Sequence, residues 1–334
     1  MRLGGAAPGG YHIGERFLIA QTSKIVLTVC GCIVTFFFGC TTLKTENTCV
    51  ATPRPAQSLD VDGVSVNFQA DLKSNRFPTV VLIHGFAATL ETWHDIYPVL
   101  SAEFSTVRLD LRGSGFTSKP KDRKYSPDDQ AEFLIRFLER LGLRHVVLVG
   151  HSLGGEVALI TYLRVKNHPQ TFTIDGLVLL DSAGYVQKMP AFVAATDNPI
   201  SHFFMSHALS PQLRAKLMLE AMFAVDERVT TDRICRYAYF FAMPATNDVS
   251  KETADQIIPP DAKSNERRFE DIDVPTLIIW GAEDPGLPVE NAYRFHSDIR
   301  RSKLVILAKT GHVPQEERPQ EVLHHLKAFL SELR

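Results

Sequence analysis

From residue 57 onward, short apolar runs alternate with segments whose apolar positions recur every three or four residues. Ser58 to Val61 and Val64 to Phe68 alternate apolar with polar positions and flank Asp62-Gly63, a pattern that predicts a β-hairpin. Thr79 to Ile83, Thr106 to Leu109, His145 to Val149, Gly176 to Leu180, Pro275 to Trp280 and Lys303 to Leu307 read as buried strands. Helical patterns fill the gaps. One covers Leu90 to Glu103. A second is capped by Ser126, with Pro127 at its first position and Asp128 and Asp129 in its first turn; its apolar residues Phe133, Leu134, Phe137, Leu138 and Leu141 keep the 3.6 period. A third begins at Leu153, and Gln320 to Leu333 closes the chain. Buried strands separated by helices predict an α/β fold: a mostly parallel, doubly wound sheet with helices on both faces. Function in such a sheet gathers at the carboxyl ends of the strands.

Residues 185–268 break the rhythm. They hold no convincing strand but many large apolar side chains, among them Phe203, Phe204, Met205, Met218, Met222, Phe223, Tyr237, Tyr239, Phe240 and Phe241. Lying between two sheet strands, the segment is expected to be an inserted helical cap, leaving residues 57–184 and 269–334 as the core. One face of the cap is expected to roof the site with an apolar pocket.

The first fifty residues follow another pattern. Lys24 precedes Ile25 to Phe38, which carries no charge and no proline, and a polar stretch follows Gly39-Cys40. A basic flank, a short apolar run and a small residue make a secretory signal over residues 1–39. The run falls short of the roughly 20 apolar residues that span a bilayer. Phe37-Phe38-Gly39-Cys40 resembles the lipobox of bacterial lipoproteins, with phenylalanine where leucine is usual. That resemblance implies a lipidated Cys40, with Cys32 the weaker second position, and residues 40–56 as a lipid-anchored tether containing Pro53 and Pro55. The expected location is the membrane of a bacterial cell envelope.

Composition narrows the partners. The 334 residues are 45% hydrophobic and 22% charged, with a net charge of −2. Near-neutral charge gives no reason to expect a nucleic acid. Cys30, Cys32, Cys40, Cys49 and Cys235 do not pair with histidines at zinc-ligand spacing, so neither metal nor other cofactor is expected.

The chemistry concentrates in Gly150-His151-Ser152-Leu153-Gly154, which follows a strand and opens a helix. A nucleophile on so sharp a turn needs small residues two before and two after it, and both are glycine. Ser152 is the expected nucleophile. A serine needs a base, and His312 lies in the loop between the last strand and the last helix. The acid that orients the imidazole is expected at Asp284, just past the penultimate strand, with Asp181 the runner-up. The oxyanion is expected to meet the backbone N–H of Leu153 and, from the loop after His84-Gly85, that of Phe86. His84 and His151 have loop-holding and packing roles, and Asp110 is expected to tie down Leu111 to Gly115.

Taken together, His84-Gly85-Phe86, Asp110 to Gly115, Gly150 to Gly154, Gly281 to Asp284 and Gly311-His312 resemble the α/β-hydrolase superfamily, and within it the cap-bearing esterases, lipases, epoxide hydrolases, dehalogenases and carbon–carbon bond hydrolases. The epoxide hydrolases and dehalogenases of that branch use aspartate at the elbow, whereas this chain has Ser152. The carbon–carbon hydrolases keep serine but typically place asparagine before it, where this chain has His151. The resemblance implies a serine esterase for small hydrophobic esters, needing no cofactor. The alternatives are a carbon–carbon hydrolase of ring-cleavage products and a hydrolase fold used only for binding.

Overall fold

The computed structural model of the chain describes Cys49 and residues 54–74, 78–166, 168, 171–188, 190–257 and 269–333. The expected signal over residues 1–39, Cys40 with its expected lipid, and residues 41–48 and 50–53 of the expected tether lie outside these residues. Among the described residues no helix is long and apolar enough to cross a membrane.

Strands β1 (Gln57–Val61) and β2 (Val64–Asp71) form the hairpin. Asp62 and Gly63 both take positive φ, 51° and 83°, as a tight turn matched to strand twist requires. After β3 (Thr79–Ile83) the chain makes a single 3₁₀ turn over Leu90–Trp93 and then helix α1 (Tyr97–Glu103). The continuous helix expected from Leu90 to Glu103 is therefore broken. Pro98 sits in the first turn of α1, has no N–H to give, and its ring would clash with the carbonyl of His94 in an unbroken helix. Next come β4 (Thr106–Leu109) and α2 (Pro127–Arg140). Ser126 and Asp129 cap α2 reciprocally, each side chain accepting from the other's backbone N–H.

Strand β5 (His145–His151) runs directly into α3 (Leu153–Val165), and β6 (Thr173–Leu180) follows. The described residues between β6 and the next strand are mostly helical: α4 (Ala191–Asp197), α5 (Pro199–His207), α6 (Pro211–Met222), α7 (Thr231–Ala242) and α8 (Thr246–Ala254); residues 258–268 of the expected cap lie outside the described residues. The core then resumes with β7 (Thr276–Gly281), α9 (Glu290–Asp298), β8 (Ser302–Leu307), the short α10 (Pro314–Glu317) and α11 (Pro319–Glu332).

The eight strands lie in the order β1-β2-β4-β3-β5-β6-β7-β8. Pairings β1–β2 and β2–β4 are antiparallel, and the rest are parallel. The period of two divides each central strand between two apolar layers. Val81, Ile83, Val146, Leu148, Leu177, Leu179, Ile278 and Trp280 pack toward α2, α3 and α9. Val80, Leu82, Val147, Val149, Val178, Leu180, Leu277 and Ile279 pack toward α1 and α11. Strands covered on both faces read as continuous apolar runs, which is why they are legible in the sequence. The last run differs from its expected burial: β8 pairs only with β7, lies at the edge, and is half-buried apart from exposed Lys303 and buried Leu307.

Candidate active site

The site starts from the join between β5 and α3. Ser152 takes φ 53° and ψ −121°, a backbone state that L residues rarely adopt. Neighbouring backbones explain why glycine stands on either side. A Cβ on Gly150 would overlap the carbonyl of Gly154, and one on Gly154 would overlap the carbonyls of Ile83 and His84. The turn presents Ser152, 8% exposed, at the carboxyl edge of the sheet. Leu153 opens the helix, so its N–H has no intrahelical partner.

The loop after β3 closes on the same point. A Cβ on Gly85 would come within 3.0 Å of the Ser152 Cβ. Phe86, the next residue, is therefore brought beside the nucleophile, where sequence places the second oxyanion donor. His84 anchors this loop: its Nδ1 donates to the Gly85 carbonyl at 2.8 Å, and its Nε2 accepts from Leu111 N at 2.9 Å. Burial pulls the His84 pKa down to about 4, which keeps the ring neutral and Nε2 free to accept. Asp110 holds the neighbouring loop by accepting from Leu90 N, Phe116 N and the Asn67 amide. Burial raises its pKa to about 6 against those hydrogen bonds.

His312 and Asp284 arrive from loops after β8 and β7. His312 Nε2 lies 3.0 Å from Ser152 Oγ, and its Nδ1 lies 2.8 Å from Asp284 Oδ2. Both side chains are essentially out of solvent. The other oxygen of Asp284 accepts from Gly286 N at 2.7 Å and Leu287 N at 3.0 Å, which fixes the carboxylate plane. The structure thus joins Ser152, His312 and Asp284 into one hydrogen-bonded chain. Asp181, the other acid considered, is fully buried and accepts from Gly281 N at 2.9 Å. Burial and the adjacent Asp284 carboxylate push its pKa well up, which favours its protonated form. Atoms of Asp181, Asp284 and His312 lie within 4.8 Å of one another, a spacing that could also hold an ion. Any such ion would compete for the Nδ1 and carboxylate oxygen that already satisfy each other.

The backbone of His312 is held from two sides. Its N–H donates to the Met222 carbonyl at the end of α6, and its carbonyl accepts from His151 Nε2 at 2.7 Å. Burial and the neighbouring His312 ring lower the His151 pKa to about 3. Glu317 accepts from Gly311 N and Ala224 N, both at 2.9 Å, and so ties the histidine loop to the chain after α6. A second tie is buried: Glu316 accepts from Arg233 Nε at 2.6 Å, Tyr237 OH at 2.5 Å and Thr92 Oγ1 at 2.7 Å, and Arg233 also pairs with Asp95. Met222, Phe223 and Tyr237 pack with Ala88 and Val313 of the core. Phe203 and Phe204, expected among the pocket-forming apolar residues, are instead 58% and 51% exposed. They sit on α5, none of whose residues is buried, so no packed layer encloses them.

Two further features carry no local sequence signal. Glu316 and Glu317 look like ordinary acidic residues at a helix start. Cys49 and Cys235 form a disulfide across 186 residues, with Cys235 in α7, and no spacing rule connects them.

The sequence pattern of the alpha/beta hydrolase fold family matches residues 78–319. The chain belongs to that family and is a hydrolase of the α/β fold. It is 28% identical over 281 residues to the uncharacterized hydrolase YugF of Bacillus subtilis, an alignment spanning 83% of this chain and 98% of that one. It is 27% identical over 272 residues to the 2-hydroxy-6-oxo-6-(2'-aminophenyl)hexa-2,4-dienoic acid hydrolase of Metapseudomonas resinovorans (78% and 86%). It is 25% identical over 266 residues to the monoacylglycerol lipase abhd6-B of Xenopus laevis (78% and 77%). Among solved structures, the meta-cleavage product hydrolase CumD superposes with a TM-score of 0.70 at 21% identity, covering 83% of this chain and 98% of that one.

Proposed function

We propose that the protein is a serine esterase that cleaves carboxylic esters of small hydrophobic substrates through an acyl-Ser152 intermediate. The observation that carries this reading is the hydrogen-bonded chain from Ser152 Oγ through the His312 ring to Asp284. In this reading His312 Nε2 takes the Ser152 proton as Oγ attacks the ester carbonyl. Asp284 holds the ring in the tautomer that can accept and stabilises the imidazolium. The N–H groups of Leu153 and Phe86 receive the oxyanion. The imidazolium then protonates the leaving alkoxide, and water, activated by the same ring, releases the acid. Similarity to a monoacylglycerol lipase supports an apolar ester.

The same reading has Cys40 lipidated and the domain tethered to a bacterial envelope membrane. The Cys49–Cys235 disulfide supports export, since disulfides persist in oxidising compartments.

A second reading, hydrolysis of a carbon–carbon bond in a ring-cleavage product, is favoured by similarity to the Metapseudomonas resinovorans hydrolase. The two separate in one experiment. Purified protein and its Ser152→Ala variant are offered a chromogenic ester series of rising acyl length and, in parallel, a 2-hydroxy-6-oxo-dienoic acid. Ester turnover that depends on Ser152 supports the first reading. Turnover of the dienoic acid with esters untouched replaces it with the second, and activity on neither removes both.

A further inference from the structure

Helix α5 turns its apolar side chains outward. Ile200 is 70% exposed, Phe203 58% and Phe204 51%. At spacing i, i+3, i+4 the three form one stripe along the helix. Phe203 meets Phe204 edge-on at 6.0 Å and stacks on His207 at 4.6 Å, so the stripe is preassembled. Asn198 caps the helix by accepting from Ile200 N and Ser201 N, which lets it persist without burying a face. From Asn198 to Leu213 there is no Asp, Glu, Lys or Arg, in a chain that is 22% charged. Among the described residues, the other exposed large apolar side chains, Leu72, Val99 and Tyr293, stand singly on different elements. Scattered apolar residues are ordinary on a surface, whereas a clustered, uncharged stripe marks a contact surface.

The chain indicates what covers it. Cys40, the position read as lipidated, lies nine residues before Cys49, and Cys49 is bonded to Cys235 of α7. A lipid at Cys40 would therefore be joined through this disulfide to the cap that carries α5.

We propose that α5 is a lipid-contacting surface, with Ile200, Phe203 and Phe204 entering the boundary between headgroups and acyl chains of a bilayer. The stripe has no fixed charge, so its binding depends on apolar burial and not on anionic lipid. The proposal stands apart from the esterase reading and does not need catalysis for its test.

The test uses the full chain carrying Phe204→Trp, reconstituted with phosphatidylcholine vesicles whose acyl chains are brominated or not. The native Trp93 and Trp280 are both 0% exposed and give a constant background. Bromine quenches only fluorophores that reach the acyl region. The introduced tryptophan should lose emission in brominated vesicles, equally at low and raised salt. A Tyr293→Trp control on α9 should not. Equal behaviour of the two variants would overturn the proposal. So would a blue shift of the Phe204→Trp emission that grows with protein concentration in the absence of lipid, which would assign the stripe to a second copy of the chain.

Discussion

The carboxyl edge of the sheet and the cap are held by different kinds of constraint. At the edge, the turns that present the reactive groups are set by neighbours in the sequence: Gly150 lets the backbone pass the Gly154 carbonyl around Ser152, and Asp284 is fixed by Gly286 and Leu287. The cap is held by partners far away in the chain: Met222 with His312, Ala224 with Glu317, Arg233 with Glu316 and Asp95, and Cys235 with Cys49. The turns that present the reactive groups are thus written locally, while the attachment of the cap is written in distant pairs. The two meet in one place. Cap residues grip the backbone of His312 itself, so a disturbance of the cap reaches the base without touching the nucleophile.

The largest effects should come from the local set. Ser152→Ala and His312→Ala are each expected to lower ester turnover by about 10⁴ or more, since serine without a base is a weak nucleophile. Steady-state rates on the best ester, with folding checked by circular dichroism, decide this. Asp284→Asn should cost about 10²–10⁴ by presenting the wrong partner to Nδ1. Asp181→Asn should cost less, because His312 Nδ1 is paired with Asp284, while Asp181 accepts from Gly281 N. If Asp181→Asn proves the more damaging of the two, the acid belongs to the earlier strand.

The distant set should show in stability. Arg233→Met leaves Glu316, whose side chain is 1% exposed, as an uncompensated buried acid, and is expected to cost about 3–5 kcal/mol. Urea unfolding measures it. A stability equal to that of the parent would remove this pair from the attachment of the cap.

A smaller effect sharpens the account of the loops around Ser152. His84 titrates at about 4 in the fold and near 6.5 when unfolded. Below pH 6.5 the unfolded chain takes up a proton that the folded chain refuses. The contribution of His84 is therefore complete above about 6.5 and is lost as pH falls toward 4. Asp110 and Asp181, raised in the fold, act in the opposite direction, so the effect is read as a difference. Between pH 7 and pH 5, His84→Gln should lose about 2 kcal/mol less stability than the parent. Parallel slopes for both proteins would show that His84 is not held neutral.

This division explains what was legible in advance. Strands buried on both faces produce continuous apolar runs, and the Ser126 cap and Asp62-Gly63 turn are local signals. Ser152, His312 and Asp284 could be singled out because each lies directly past a recognisable strand. The break before Pro98 was missed because the apolar period continues across it. The half-exposure of β8 follows from its place in the sheet order, which apolar content does not encode. Composition marked residues 185–268 as helical but could not say which side chains face outward. Phe204 and Phe223 are the same residue type, yet one is exposed and the other buried in the contact with the core.

In this reading Ser152 is the serine that the site activates. The most direct measurement is labelling of the intact protein with a fluorophosphonate, followed by peptide mass spectrometry. A single adduct on Ser152, abolished in His312→Ala, is the predicted result. An adduct on a different serine, or no adduct on the folded wild-type protein, would contradict it.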